Sequence, residues 1–531
     1  MLTKTGRKTW LKKVVLASFA TLMIGALAGC GSSDKVTQLA NKDTLSVGVT
    51  NFADTLEPTE NYFAWVVMRY GVGETLTKFD EKMNTTPWLA KEWFVSEDKM
   101  TWTFIIDEKA KFSNGRPVTA EAVKASIERS FAKAKRATTF FEYADIKADG
   151  QKLMITTKKT LPNLPGLIAD PLFLIVDVQT EKEGRNFSKE GPIGTGPYAV
   201  KSFTKEKATM VKNEHYWNGE VPFKTVEIPS IDDPNTRALS LQSGDVNVAV
   251  NIAAADMVNF VGNDKFVVDE IASLRTVVAR MNHKGLLADP KVRAAVISGS
   301  DRETYAKTLL KNTFIPGKAP IPPSLDYGFD QLKDPNTYSQ ERAKKLLEEA
   351  GWKDTNGNGI VDKDGKELTL NFVIYNSRAE LPAYAEAVQA DLKKIGIDIK
   401  IKTVDYNLID KMGIDGDYDM LISNIVTANT GDPQLYLLGY WMTNVGGNNP
   451  QNGSGYSNPI YDEKMEQLQV EFNPAKRKQL IIELQQILLD DSAALFLGYP
   501  KTNLVSSKAV TGVKMLPSDY YWITNNIKPA K

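Results

Sequence analysis

The side chains that most often do chemistry are scarce here: one cysteine, Cys30, and two histidines, His215 and His283. A single thiol forms no intramolecular disulfide and no cysteine metal cluster. Two imidazoles disfavour a zinc enzyme or any site that needs several of them. The histidines sit in Asn213-Glu214-His215-Tyr216-Trp217 and in Arg280-Met281-Asn282-His283-Lys284. Each reads as a structural residue near a strand end. No Gly-x-Ser-x-Gly elbow, Walker A loop or His-Glu-x-x-His motif occurs. Carboxylates are plentiful, but no nucleophile or base stands beside a recognisable partner. The residues therefore favour binding over catalysis, and none is assigned a catalytic role. One segment, Asp354-Thr355-Asn356-Gly357-Asn358-Gly359, matches the first half of a calcium loop. Gly365 stands where the bidentate Glu of such a loop belongs. A Gly/Asn/Asp turn joining helix 340–350 to strand 368–374 is the expectation, with no direct metal ligands.

Elements must position whatever binds. With 42% apolar and 24% charged residues the chain has ordinary globular composition, and its length suggests about two to four domains. Lysine plus arginine, 65, balance 65 acids, which argues against nucleic-acid binding. Lys4, Arg7, Lys8, Lys12 and Lys13 precede an apolar run over 14–28, too short to span a bilayer comfortably but suited to a signal-peptide core. The run ends in Leu27-Ala28-Gly29-Cys30, which resembles a bacterial lipobox in which Cys30 is acylated. The expectation is a lipoprotein signal peptide over 1–29, a linker over 30–41, and a body held by its lipid on the extracytoplasmic face of the cell membrane. Removing 1–29 takes away five cations and no acid, leaving a net charge of −5. Beyond it, segment 44–49 is extended and 100–106 alternates as a strand should. Thr119 caps a helix with Val123, Ile127 and Phe131 on one face. Ser339 caps another with Ala343, Leu346, Leu347 and Ala350, ending at Gly351. Tyr384, Val388, Leu392 and Ile395 form a helical stripe that stops at Gly396. Alternation then follows in Ile397, Ile399 and Ile401. Helix then strand is the rhythm of an α/β layer.

Several stretches, taken together, carry a family resemblance. They are Pro87-Trp88-Leu89-Ala90-Lys91-Glu92-Trp93, Thr101-Trp102-Thr103-Phe104, the Phe112-Ser113-Asn114-Gly115-Arg116-Pro117 run, Pro192-Ile193-Gly194-Thr195-Gly196-Pro197-Tyr198, the Asn213 to Trp217 motif, Asp233-Pro234-Asn235-Thr236-Arg237 and Gly455-Tyr456-Ser457-Asn458-Pro459. From about residue 44 to 525 the chain resembles the extracytoplasmic solute-binding proteins of ABC importers, in the peptide/nickel/opine family, family 5. The resemblance implies an α/β, two-lobe periplasmic-binding-protein-like fold of class II, the large type with an extra subdomain in lobe I. Lobe I would be 42–275 plus 502–531, with the extra subdomain at about 85–190, and lobe II 276–501. The crossings near 273–281 and 496–505 would be the hinge. It further implies a monomer that is no enzyme. Such a protein hands short peptides, or nickel or cobalt bound as a peptide-like chelate, to ABC permease and ATPase subunits, and holds no cofactor. Readings from other classes are a surface receptor or adhesin on the same fold, or an extracellular hydrolase with an essential acid or base in 424–456.

The resemblance also places two windows in the cleft. One, 61–70, holds Tyr62, Trp65 and Arg69; the other, 424–456, holds Thr427, Asn429, Asp432, Tyr436, Trp441 and Asn444. Rings cover apolar parts of a small ligand while amides offer donors and acceptors. Peptide-binding relatives place an Asp three residues before an Asp-Pro pair, where it meets the peptide amine. Here the pair is Asp432-Pro433 and that position is Asn429, which loses the charge-assisted bond. Nickel-binding relatives place Trp and Tyr ahead of the pair and a His after it. Here those positions read Thr427 and Gly431, and 284–531 contains no histidine. Nickel and opine relatives also carry an Arg that grips chelator carboxylates, and Arg136 aligns with it. Arg69 and Arg378 are weaker candidates of the same kind. Peptide and metal chelate both remain open.

Overall fold

The computed structural model describes residues 36–39, 41–375, 377–378 and 380–531. Cys30, the signal stretch over 1–29 and most of the expected linker lie outside the described residues. Twelve strands hydrogen-bond into one continuous sheet. At one end Thr44–Gly48 runs parallel to both Thr225–Pro229 and Val248–Val250. At the other, Thr369–Tyr375 runs parallel to Asp398–Val404 and to Met420–Val426. Interior parallel strands are covered on both faces and read as near-continuous apolar runs; Phe372, Val373, Ile374 and Tyr375 are all buried. Helix Glu380–Lys393 covers one face with Leu381, Tyr384, Ala385, Val388 and Leu392. Gly396, at φ 86°, ends the connection in a conformation that costs glycine nothing.

One long strand, Ala494–Ser507, runs through both ends of the sheet. Its first part pairs with Arg275–Met281 and its last part with Phe266–Ala272, both antiparallel. These two partners are consecutive in the chain, interrupted only at Ser273-Leu274, and Ser273 N donates to Pro500 O at 2.9 Å across the join. Pro500 offers no donor of its own and stands where one ladder gives way to the next.

A separate four-stranded sheet, ordered Ala90–Val95, Thr101–Ile106, Lys152–Thr157, Tyr143–Asp149, has its own apolar cluster. Helix Ala120–Lys133 lies on it, burying Val123 and Ile127. The Thr119 hydroxyl accepts from Ala122 N at 3.2 Å and starts the helix there. Arg129 on this helix grips Glu57 in bidentate fashion, at 2.9 and 2.7 Å, and Glu181 at 2.7 Å. Helix Gln340–Glu349 is likewise capped, Ser339 Oγ accepting from Arg342 N at 3.2 Å. The calcium-like segment is a turn: the Asp354 carboxylate accepts from Gly357 N at 2.8 Å and Gly359 N at 2.9 Å. A two-residue pairing of Asp362–Lys363 with Lys366–Glu367 follows it.

Candidate functional site

The join between the two ends of the sheet opens onto a cavity of about 1220 Å³. Phe52, Tyr62, Trp65 and Arg69 line one side; Arg275, Arg280, Arg378, Asn424, Asn429 and Tyr440 line the other. A recess of about 380 Å³ shares Trp65, Arg69, Arg275 and Arg378 and reaches Ser273, Leu274 and Pro500.

Helix Phe63–Arg69 builds the first side. Tyr62 precedes it, more than half exposed, with its ring centroid 5.3 Å from that of Trp65. Trp65 in turn lies 5.6 Å from Tyr520. Arg69 is already engaged: its Nη2 meets Asp519 Oδ2 at 2.6 Å and its guanidinium lies 4.3 Å over Trp522. Burial pushes the Asp519 carboxyl above its ordinary range, against the pull of Arg69.

Arg136 does not line the cavity itself but stacks 4.6 Å over the Tyr62 ring. Its nearest acid is Asp170, at 3.9 Å, and its Nε and Nη2 are buried with no hydrogen-bond partner. Asp170 is fully buried, which pushes its carboxyl up. Asn429, from the opposite wall, donates Nδ2 to Asp170 Oδ2 at 3.2 Å. Tyr62, Arg136, Asp170 and Asn429 thus meet at one edge of the cavity, and the Asn429 amide is partly spent on the protein itself.

The remaining expected residues do not line the cavity. Thr427 is buried and donates both its hydroxyl, at 3.1 Å, and its N–H, at 2.9 Å, to Leu274 O. Asp432 is ion-paired with Arg477 at 2.7 Å and accepts from Gln434 N at 2.8 Å, so it serves the start of helix Gln434–Trp441. That helix turns Tyr436 and Trp441 into the apolar core and Tyr440 to the cavity. Asn444 is exposed on the following loop, where it accepts from Asn449 N at 3.1 Å. The helix that carries the window's aromatic residues packs so that Tyr440, rather than Tyr436 or Trp441, meets the cavity. Both histidines also lie outside it. His283 Nε2 stands 3.0 Å from Ala493 O, and burial pushes its imidazole down to about 4.

Among the side chains that line the cavity and that motif reasoning passed over, three stand out. Tyr440 and Arg280 are two. Arg275 is the third: burial, with Arg378 beside it, pushes its guanidinium down to about 10, and its Nη1 donates to Asn424 O at 3.2 Å. Residue spacing could not have flagged the two arginines, because strand Arg275–Met281 shows no alternation. Altogether four arginines and two aspartates, Asp54 and Asp410, line the space. With Arg69 paired to Asp519, a small excess of fixed positive charge remains, and it favours an anionic guest. Among the described residues no three His, Cys, Asp or Glu side chains are grouped to hold a metal ion, and no helix is long and apolar enough to cross a membrane.

A mixed α/β frame with a polar cleft where its two lobes meet defines a solute-binding protein. Residues 84–449 match the family model described as bacterial extracellular solute-binding proteins, family 5, and the chain belongs to that family. It is 27% identical over 473 residues to the nickel-binding periplasmic protein of Escherichia coli, covering 87% of this chain and 90% of the relative. It is 27% identical over 543 residues to the oligopeptide-binding protein AppA of Bacillus subtilis, covering 96% and 97%. The crystal structure of a nickel ABC transporter protein from Bacillus halodurans superposes with a TM-score of 0.80 at 27% identity, over 91% of this chain and 99% of that one. Proteins of this family bind and are not enzymes, and nickel, where their names carry it, is cargo rather than a resident cofactor.

Proposed function

We propose that this protein is the lipid-anchored substrate-binding component of an ABC importer. It captures short peptides or peptide-like nickel chelates by their carboxylates and passes them unchanged to permease and ATPase subunits. Cys30 carries the lipid, and the body works as a monomer on the outer face of the membrane. Lobe I comprises 42–275 and 502–531, with the extra subdomain at about 85–190; lobe II comprises 276–501. The join at Ser273, Leu274 and Pro500 is the hinge. The observation that carries this reading is the arginine-lined cavity, whose adjoining recess reaches that join. Ligand then stabilises the closed form through contacts made only when both walls touch it. Tyr62, Trp65, Arg69 and Asn429 serve the ligand directly, and Arg136 stands at its edge to receive a carboxylate.

Calorimetry tests this with a short-peptide mixture, and with nickel supplied together with histidine. Saturable heat from either supports the reading. Nickel retained with no chelator added would contradict it, because among the described residues the cleft offers no ligand set of its own. Mass spectrometry of the membrane-extracted protein should find acyl chains at Cys30; an unmodified thiol would refute the anchor.

A further inference from the structure

We propose that Arg280 is a built anion subsite on the lobe II wall of the cleft, and that the natural ligand carries a carboxylate placed to reach it. The inference rests on the reading of the cleft as the ligand site. Arg280 is only 5% exposed. Its guanidinium makes no ion pair and no hydrogen bond among the described residues, and its Nε is enclosed with no partner. A buried cation is ordinarily paired or hydrogen-bonded. The other buried arginines obey that rule: Arg129 holds Glu57, Arg477 holds Asp432, Arg302 holds Asp334, and Arg293 donates to backbone carbonyls. Asp410 lines the same cavity but lies beyond ion-pair distance.

What surrounds Arg280 holds the charge without neutralising it. The guanidinium carbon lies 5.1 Å from the Tyr440 ring and 5.9 Å from the Tyr418 ring. The remaining side is Gly413, where an added Cβ would stand 2.5 Å from Nη2. Gly413 sits inside helix Ile409–Asp415, a place that glycine weakens. The structure therefore spends a helical position on room for this guanidinium, whose residue lines the cavity. A planar carboxylate, from an acidic peptide side chain or from a chelator, is the group that fits such a fork.

The test compares wild type, Arg280→Gln and Gly413→Ala. Citrate is titrated in thermal melts against chloride at matched ionic strength. The tripeptides Ala-Ala-Ala and Ala-Glu-Ala are titrated by calorimetry. Citrate should raise the Tm of the wild type, saturably, and much less that of either variant. Ala-Glu-Ala should bind the wild type about tenfold or more tighter than Ala-Ala-Ala, and Arg280→Gln should abolish that preference. If neither peptide binds but citrate still distinguishes wild type from variant, the subsite stands with a chelator carboxylate as its guest, and the peptide half of the functional reading falls. If citrate shifts wild type and Arg280→Gln equally, or shifts neither, the subsite is refuted. Should Arg280→Gln fail to fold, the guanidinium is needed for the apo fold and the inference is overturned.

Discussion

Glu74 should make the protein less stable at alkaline pH than at acid pH. The carboxyl is enclosed on all sides and accepts from the Tyr216 hydroxyl at 3.0 Å and Trp217 Nε1 at 2.9 Å. Burial outweighs these donors and pushes it from 4.5 up to about 7. The folded state therefore binds this proton more tightly than the unfolded chain does. Its contribution is complete below about 4.5 and is lost as pH rises through 7. A rise of that size corresponds to roughly 3 kcal/mol between about pH 4 and pH 8. His283 works in the opposite sense. Its folded value of about 4 against 6.5 gives stability that is complete above 6.5 and lost as pH falls toward 4. The wild-type curve alone is thus a difference of two effects, and the comparison with Glu74→Gln isolates one. The amide oxygen can still accept from Trp217, and its N–H can donate to the Tyr216 oxygen. Urea unfolding at about pH 5 and about pH 8 should show the wild type losing, relative to Glu74→Gln, on the order of 2–3 kcal/mol. Parallel pH profiles for the two proteins would refute the argument.

Three further outcomes are expected. Arg136→Ala should weaken a carboxylate ligand by about 1.5–3 kcal/mol, the scale of a charged hydrogen bond; unchanged affinity in calorimetry would remove Arg136 from the site. Arg477→Ala should destabilise by about 3–5 kcal/mol in urea melts, because it strands the buried Asp432 carboxylate, and Asp432→Asn in the same background should recover part of the loss. Small-angle scattering should give a smaller radius of gyration with saturating ligand than without; identical curves would remove the hinge.

Local rules made much of the frame legible. Thr119 and Ser339 start their helices by accepting from the third residue on, Ala122 and Arg342, as their type and position require. Ile397, Ile399 and Ile401 alternate because strand Asp398–Val404 closes one edge of the sheet with a single covered face. The site was legible on one wall only. Trp65 and Arg69 share a short helix that Tyr62 immediately precedes, so neighbours in sequence are neighbours in space. On the other wall the decisive contacts are long-range. Asp432 is taken by Arg477, 45 residues on, and whether Tyr436 or Tyr440 meets the cleft depends on how their helix is rotated against the core. Arg280 looks like any strand cation until its missing partner becomes visible, and no spacing encodes an absence.

The strand Ala494–Ser507 belongs to two ladders at once. No single cut in the chain can therefore release two pieces that each keep every strand they need. A proteolytic nick near Pro500 would break one of the two crossings and leave the other, at Ser273-Leu274, still joining both ends of the sheet.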